Sequence, residues 1–102
     1  MIIAALLALT VQTPTLEDVY FKLADAAYTE GRCANHFTST EQERALTIWN
    51  GVHPRLEEMY RRGRAQIADE PLPLGVCADA TEEVSRELDT LTAQLRALQR
   101  AN

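Results

Sequence analysis

Four side chains in this sequence are of the kinds that hold a transition metal: Cys33, His36, His53 and Cys77. Cys33-x-x-His36 resembles half of a zinc site, since thiolates and imidazoles are the donors zinc takes. The spacing departs from the usual arrangement, in which a second close pair completes the first, because His53 and Cys77 lie far apart in sequence. The same cysteines support a reading without metal. Cys33 follows the first predicted helix and Cys77 precedes the last, so helices packed side by side bring them together as a disulfide. Closing a loop of about 45 residues removes unfolded-state entropy of up to ~4 kcal/mol in the chain-entropy model. That is a large share of the stability of a small domain. A third reading leaves both thiols free as small apolar core residues.

Other groups point to surfaces rather than to a reaction. Arg55, Arg61, Arg62 and Arg64 form a basic cluster able to meet a phosphate or an acidic partner. Glu57 and Glu58 precede Arg61 and Arg62 by four positions, however, and an ion-paired helix face is the expectation. The carboxylates Glu41, Glu43, Glu82, Glu83, Glu87 and Asp89 fall on predicted outer faces, without the cleft that general acid–base chemistry needs. Ser39 and Ser85 stand in no Gly-x-Ser-x-Gly elbow. No glycine-rich phosphate loop, Cys-x-x-Cys or haem-attachment motif is present. No catalytic or cofactor-binding residue and no cofactor is therefore assigned. Trp49, Tyr60, Tyr20 and Phe37 could line a small apolar pocket, although aromatics at helical spacing belong more often to a core.

Helices must position these residues. Thr15 with Asp18 forms a near capping box that opens a helix over 15–30. Its apolar stripe is Leu16, Val19, Tyr20, Leu23, Ala26 and Ala27, and Gly31 is expected to stop it in a left-handed conformation. Ser39 or Thr40, with Gln42 or Glu43, caps a second helix over 40–50, whose stripe is Ala45, Leu46, Ile48, Trp49 and Val52. Asn50-Gly51 is a turn signal and Pro54 suits a first helical turn capped by His53, so the chain is broken at 50–53 and a third helix runs over 54–68. One kinked helix from 40 to 68 is the competing reading. Pro71 and Pro73 make 69–75 an extended connector. Asp79 caps a last helix over 79–100, in which Val84, Leu88, Leu91, Leu95 and Leu98 recur in 4-3-4-3 steps. One heptad back, this seam reaches Cys77. It spans only about three heptads, which favours packing inside the chain over an isolated coiled coil. No internal repeat and no period-two alternation is found, so no sheet is expected.

The first eleven residues, MIIAALLALTV, are apolar and uncharged. A helix of that length covers about 16 Å, too little to span a bilayer, and fits the apolar heart of a secretory signal. No basic residue precedes the run and no clean small-x-small cleavage site follows it. The competing reading makes residues 2–11 a buried helix of the domain. A formal charge of −5 argues against nucleic acid as a partner.

The expectation is an all-α fold. Residues 1–13 form a signal-like segment, and residues 14–102 a single domain of three or four helices stapled by the Cys33–Cys77 disulfide. The expected role is that of a small exported, non-catalytic helical protein, periplasmic or secreted, acting through protein–protein interaction. The last-helix seam (Val84, Leu88, Leu91, Leu95, Leu98) is the candidate surface. The alternative is a metal- or small-ligand-binding domain using Cys33, His36, His53 and Cys77. A small helical enzyme is a third reading that nothing in the sequence announces. No nucleic-acid partner and no stable membrane span are expected.

Overall fold

A computed structural model of the chain describes residues 15–101. The signal-like segment 1–13 lies outside them. The elements are α1 (Leu16–Arg32), a short 3-10 turn (Ala34–His36), α2 (Ser39–Val52), α3 (Pro54–Ala65) and α4 (Leu74–Ala101). No strand occurs among the described residues, so the fold is the all-α bundle the sequence predicts.

Local chemistry sets each boundary. The Thr15 hydroxyl accepts the Asp18 N–H at 3.1 Å, and the Asp18 carboxylate accepts the Thr15 N–H at 3.4 Å, a complete capping box for α1. At α2 the cap is Thr38 with Glu41, not Ser39 or Thr40. The run Thr38-Ser39-Thr40-Glu41-Gln42-Glu43 offers three overlapping boxes, and the first is used because it leaves Gln42 free. The Gln42 amide then donates to the carbonyls of Ala34 at 2.8 Å and Phe37 at 3.1 Å, tying α2 to the turn before it.

The helix break is real but confined to one residue. His53 is extended (φ −167°, ψ 137°), while Asn50 and Gly51 stay helical. His53 caps α3 from its ring and Pro54 takes the first helical position, as expected. α3 ends at Ala65, short of 68. α4 begins at Leu74, five residues before the expected Asp79 cap, with the Pro73 carbonyl accepting the Cys77 N–H at 3.1 Å. Proline suits this boundary, since it lacks the N–H that a helix start leaves unused. Cys77 thus sits inside the first turns of α4, on the seam that the heptad spacing projects back to it.

α1 is the centre of the bundle. α3 runs parallel to it and α4 packs on it as well, while α2 packs mainly on α3. Val19, Leu23 and Ala27 of α1 meet Leu46 and Trp49 of α2, Leu56 and Tyr60 of α3, and Val84, Leu91 and Leu95 of α4 in one core. Leu88 and Leu98 are half-buried against that core.

Two glycines determine how closely α1 and α3 approach. Gly31 does not stop α1: it is helical, buried, and no described glycine has a positive φ. A Cβ at Gly31 would overlap the Tyr60 carbonyl oxygen and lie 3.1 Å from the Arg64 nitrogen. A Cβ at Gly63 would overlap the Tyr28 carbonyl oxygen and lie 2.9 Å from the Arg32 nitrogen. The contacts are reciprocal and involve backbone atoms, which cannot rotate away. Each helix carries the same pentad at the crossing, Tyr28-x-x-Gly31-Arg32 and Tyr60-x-x-Gly63-Arg64.

The glycines predict opposite outcomes for one substitution. Gly31→Ala and Gly63→Ala should each destabilise by about 3 kcal/mol or more through overpacking against backbone. Gly51→Ala meets nothing within 4 Å and should stabilise by roughly 0.5–1 kcal/mol through helix propensity. Urea denaturation of the three variants measures both signs.

Candidate functional site

The structure separates the four prospective metal ligands. Cys33 and Cys77 are joined as a disulfide with Cα atoms 5.5 Å apart, and both side chains are buried. His36 Nε2 is 2.8 Å from the Leu72 carbonyl; a carbonyl only accepts, so Nε2–H donates. Alongside it, Arg32 Nη2 donates to the Glu70 carbonyl at 2.6 Å. These two bonds clamp the proline-rich connector to the end of α1 and to the 3-10 turn after it, beside the disulfide. His53 is engaged elsewhere. Its Nδ1 accepts the Arg55 N–H at 3.1 Å and lies 2.9 Å from the Tyr20 hydroxyl, which therefore donates. Burial raises the Tyr20 hydroxyl above the usual phenol value, against the lowering effect of Arg55, so a proton remains on it to give. Among the described residues no group of three or more His, Cys, Asp or Glu side chains converges to hold a metal.

The basic cluster is largely self-compensated. Arg61 pairs with Glu57 at 3.0 Å and Arg62 with Glu58 at 2.8 Å, both i,i+4 pairs on the solvent side. Arg64 reaches the Gln42 side-chain oxygen at 3.4 Å. Exposed pairs of this kind contribute little stability. The last-helix seam is largely occupied as well: Val84, Leu91 and Leu95 are buried in the core, while Leu88 and Leu98 are half-buried against it. No described helix is long and apolar enough to cross a membrane.

Two other features remain open. The first is a cleft of about 250 Å³ between α2 and α4, which stand apart because both pack on other helices. Ala45, Ile48 and Trp49 form one wall, Val84 and Leu88 the other, and Glu30 of α1 with Tyr60 of α3 the floor. Three of the four aromatics proposed from the sequence border one structure here, since Phe37 lines the same cleft while Tyr20 lies elsewhere. Burial pushes the Glu30 carboxyl above the usual carboxylate range, and a hydrogen bond from the Trp49 side chain partly offsets this. Tyr60 is raised by burial first and then by the Glu30 charge. The Thr81 hydroxyl, also lining the cleft, is buried without a hydrogen-bond partner among the described residues.

Glu30 and Thr81 were not singled out in the sequence, yet a signal existed. Glu30 continues the α1 stripe one step beyond Leu23 and Ala27, and Thr81 occupies the seam step between Cys77 and Val84. Each is a polar residue at a core position, and both face one cavity.

The second open feature is the outer side of α1. Phe21 is 73 % exposed, more open than the exposed Leu74, Val76 and Ile48. Leu16, Tyr20 and Ala24 flank it along one groove, and Tyr28 with Met59 along another.

Comparison with known proteins returns no match: no family model, no curated protein and no solved structure is recognisably similar to this chain.

Glu30 gives a signed pH dependence. Its folded-state pKa is raised, so the folded chain binds more protons than the unfolded chain between the two pKa values. Stability from this group is therefore greatest below the ordinary carboxylate range and falls as pH rises through the raised value. Glu30→Gln should remove that fall and be more stable than the parent at neutral pH. Urea midpoints of both proteins at about pH 4 and about pH 7 check this, because the difference between them isolates Glu30 from other carboxylates.

Proposed function

We propose that this is a small exported, non-catalytic helical protein, periplasmic or secreted, that acts by binding another protein through the outer face of α1. The exposed Phe21 carries the reading. An aromatic ring left in water, with apolar neighbours on both sides along two helices, is the surface pattern of a binding anchor rather than of a solvated helix face. Export is supported by the disulfide, since such bonds persist in oxidising compartments, and by the signal-like residues 1–13.

Export is tested by the intact mass of the product made in a bacterial host from its own N-terminus, with and without reductant. A chain shortened at its start that gains two hydrogens on reduction of Cys33–Cys77 is expected. A full-length chain with free thiols would remove the exported role.

The binding face is tested by replacing Phe21 with a photo-crosslinking phenylalanine analogue in the producing cells, with exposed Glu83 of α4 as the control position. A discrete adduct with one other protein from position 21 alone is expected. Equal labelling from both positions, or a crosslink only to residues 1–13 of the same chain, would rule the face out. Phe21→Ser should leave stability within about 0.5 kcal/mol of the parent, so that loss of the adduct cannot be ascribed to unfolding.

A further inference from the structure

We propose that the cleft between α2 and α4 binds an alkylammonium group, with the ammonium at Glu30 and Thr81 and the apolar stem between the helices. The argument begins with two misplaced polar residues. Core stripes of small helical domains are apolar because a buried polar group without a partner destabilises the fold. Glu30 and Thr81 break the stripes of α1 and α4, and both open onto the same cavity. Local rules are broken in this way chiefly where a site needs the group.

The chemistry of the pair selects the ligand. Glu30 accepts hydrogen bonds and carries negative charge, and no ion pair among the described residues involves it. Thr81 brings lone pairs that no described residue uses. An ammonium has donors and no acceptor, so a carboxylate and a hydroxyl satisfy it together. An anion would face Glu30 unpaired. Arg44 also lines the cleft, but Glu41 beside it keeps the balance negative. The Glu41 carboxylate is engaged by the Thr38 N–H at 2.9 Å, which leaves Glu30 as the acceptor on the floor. Ile48, Val84 and Leu88 offer an apolar wall that fits a hydrocarbon stem, with Ser85 a further hydroxyl in the lining. At about 250 Å³ the space is below the ~300–1,000 Å³ of sites for drug-sized molecules. It suits one short chain: a free alkylamine, or the side chain of a lysine presented by another protein.

Trp49 is the chain's one tryptophan and borders the cleft, so its indole N–H reports occupancy by nuclear magnetic resonance on the full chain. The probes are n-butylammonium chloride, sodium butyrate and 1-butanol, followed by Nα-acetyl-lysine methylamide. A saturable shift of the Trp49 signal with butylammonium, absent with butyrate and at least about tenfold weaker with butanol, is expected. Glu30→Gln should weaken butylammonium binding at least about tenfold while the rest of the spectrum stays native. Thr81→Val, of equal shape, should weaken it by a smaller factor. Tighter binding of the lysine derivative than of butylammonium assigns the source to a partner's lysine; weaker binding assigns it to a free amine. Equal shifts with all three butyl compounds, no saturable shift with any, or unchanged binding in Glu30→Gln would each overturn the proposal.

Discussion

The rest of the structure depends on a contact between two stretches of backbone. Gly31 and Gly63 let α1 and α3 approach until each glycine lies against a tyrosine carbonyl of the other helix. Side chains at a helix crossing normally keep axes about 8–10 Å apart and can repack when one is changed. Here the neighbours are main-chain atoms, so the geometry has little freedom. The crossing fixes the last turn of α1, and with it Glu30, Arg32 and Cys33 on the residues either side of Gly31. It also fixes the last two turns of α3, with Tyr60 and Arg64. The C-terminal ends of the parallel helices thereby become the rigid part of a chain only 102 residues long.

From that rigid end the connector and α4 are held by three attachments of different kinds. The disulfide restricts the unfolded ensemble across a separation of 44 residues. Arg32 and His36 take up the carbonyls of Glu70 and Leu72, which a proline-rich extended segment cannot satisfy within itself. The heptad seam then lays α4 along α1. A helix of 28 residues is about 42 Å long against about 25 Å for the 17 residues of α1, and α4 packs mainly on α1 rather than on α2. The cleft is a consequence of this order of attachment. α2 follows α3, α4 follows α1, and the space between them is floored by whatever α1 and α3 present there.

How much of this could be read from the residues depends on whether the determinant was local. Thr15 with Asp18, and His53 with Pro54, act within one helical turn, and both boundaries lie where the spacing puts them. The seam from Val84 to Leu98, and its extension to Cys77, survives because a 4-3 period states a face without naming a partner. The determinants that escaped are tertiary. Gly31 has the look of a helix stop, and only the matching pentad ending at Arg64 reveals that it is a contact point. Asp79 has the look of a helix cap and Pro71 and Pro73 of an extended connector reaching to 75, whereas the helix starts directly after Pro73, whose carbonyl accepts the Cys77 N–H. The choice of Thr38 among three equivalent caps rests on where the Gln42 amide is needed, which no local pattern states. Of the prospective site, the Cys/His set separated into a bond, a clamp and a cap. The aromatic set came together only in part, and Glu30 and Thr81 drew no notice because a polar residue on a helix states no cavity.

The placement of Glu30 carries a physical consequence. A carboxyl one residue from the glycine crossing of α1 and α3 cannot move to water by shifting its helix, since Gly31 lies against the α3 backbone there. Its charge must be accommodated in place, and the side chain that helps is Trp49, on a helix that does not pack closely on α1. The rigid crossing and the open cleft are thus two sides of one arrangement: the first holds the acceptor still, and the second leaves one side of it unfilled. A small core with a thin stability margin would be better served by leucine at this position if packing were the sole constraint. Polar groups held rigidly at the edge of an apolar space are what a selective site requires, because positioning achieved by the fold does not have to be supplied by the ligand on binding.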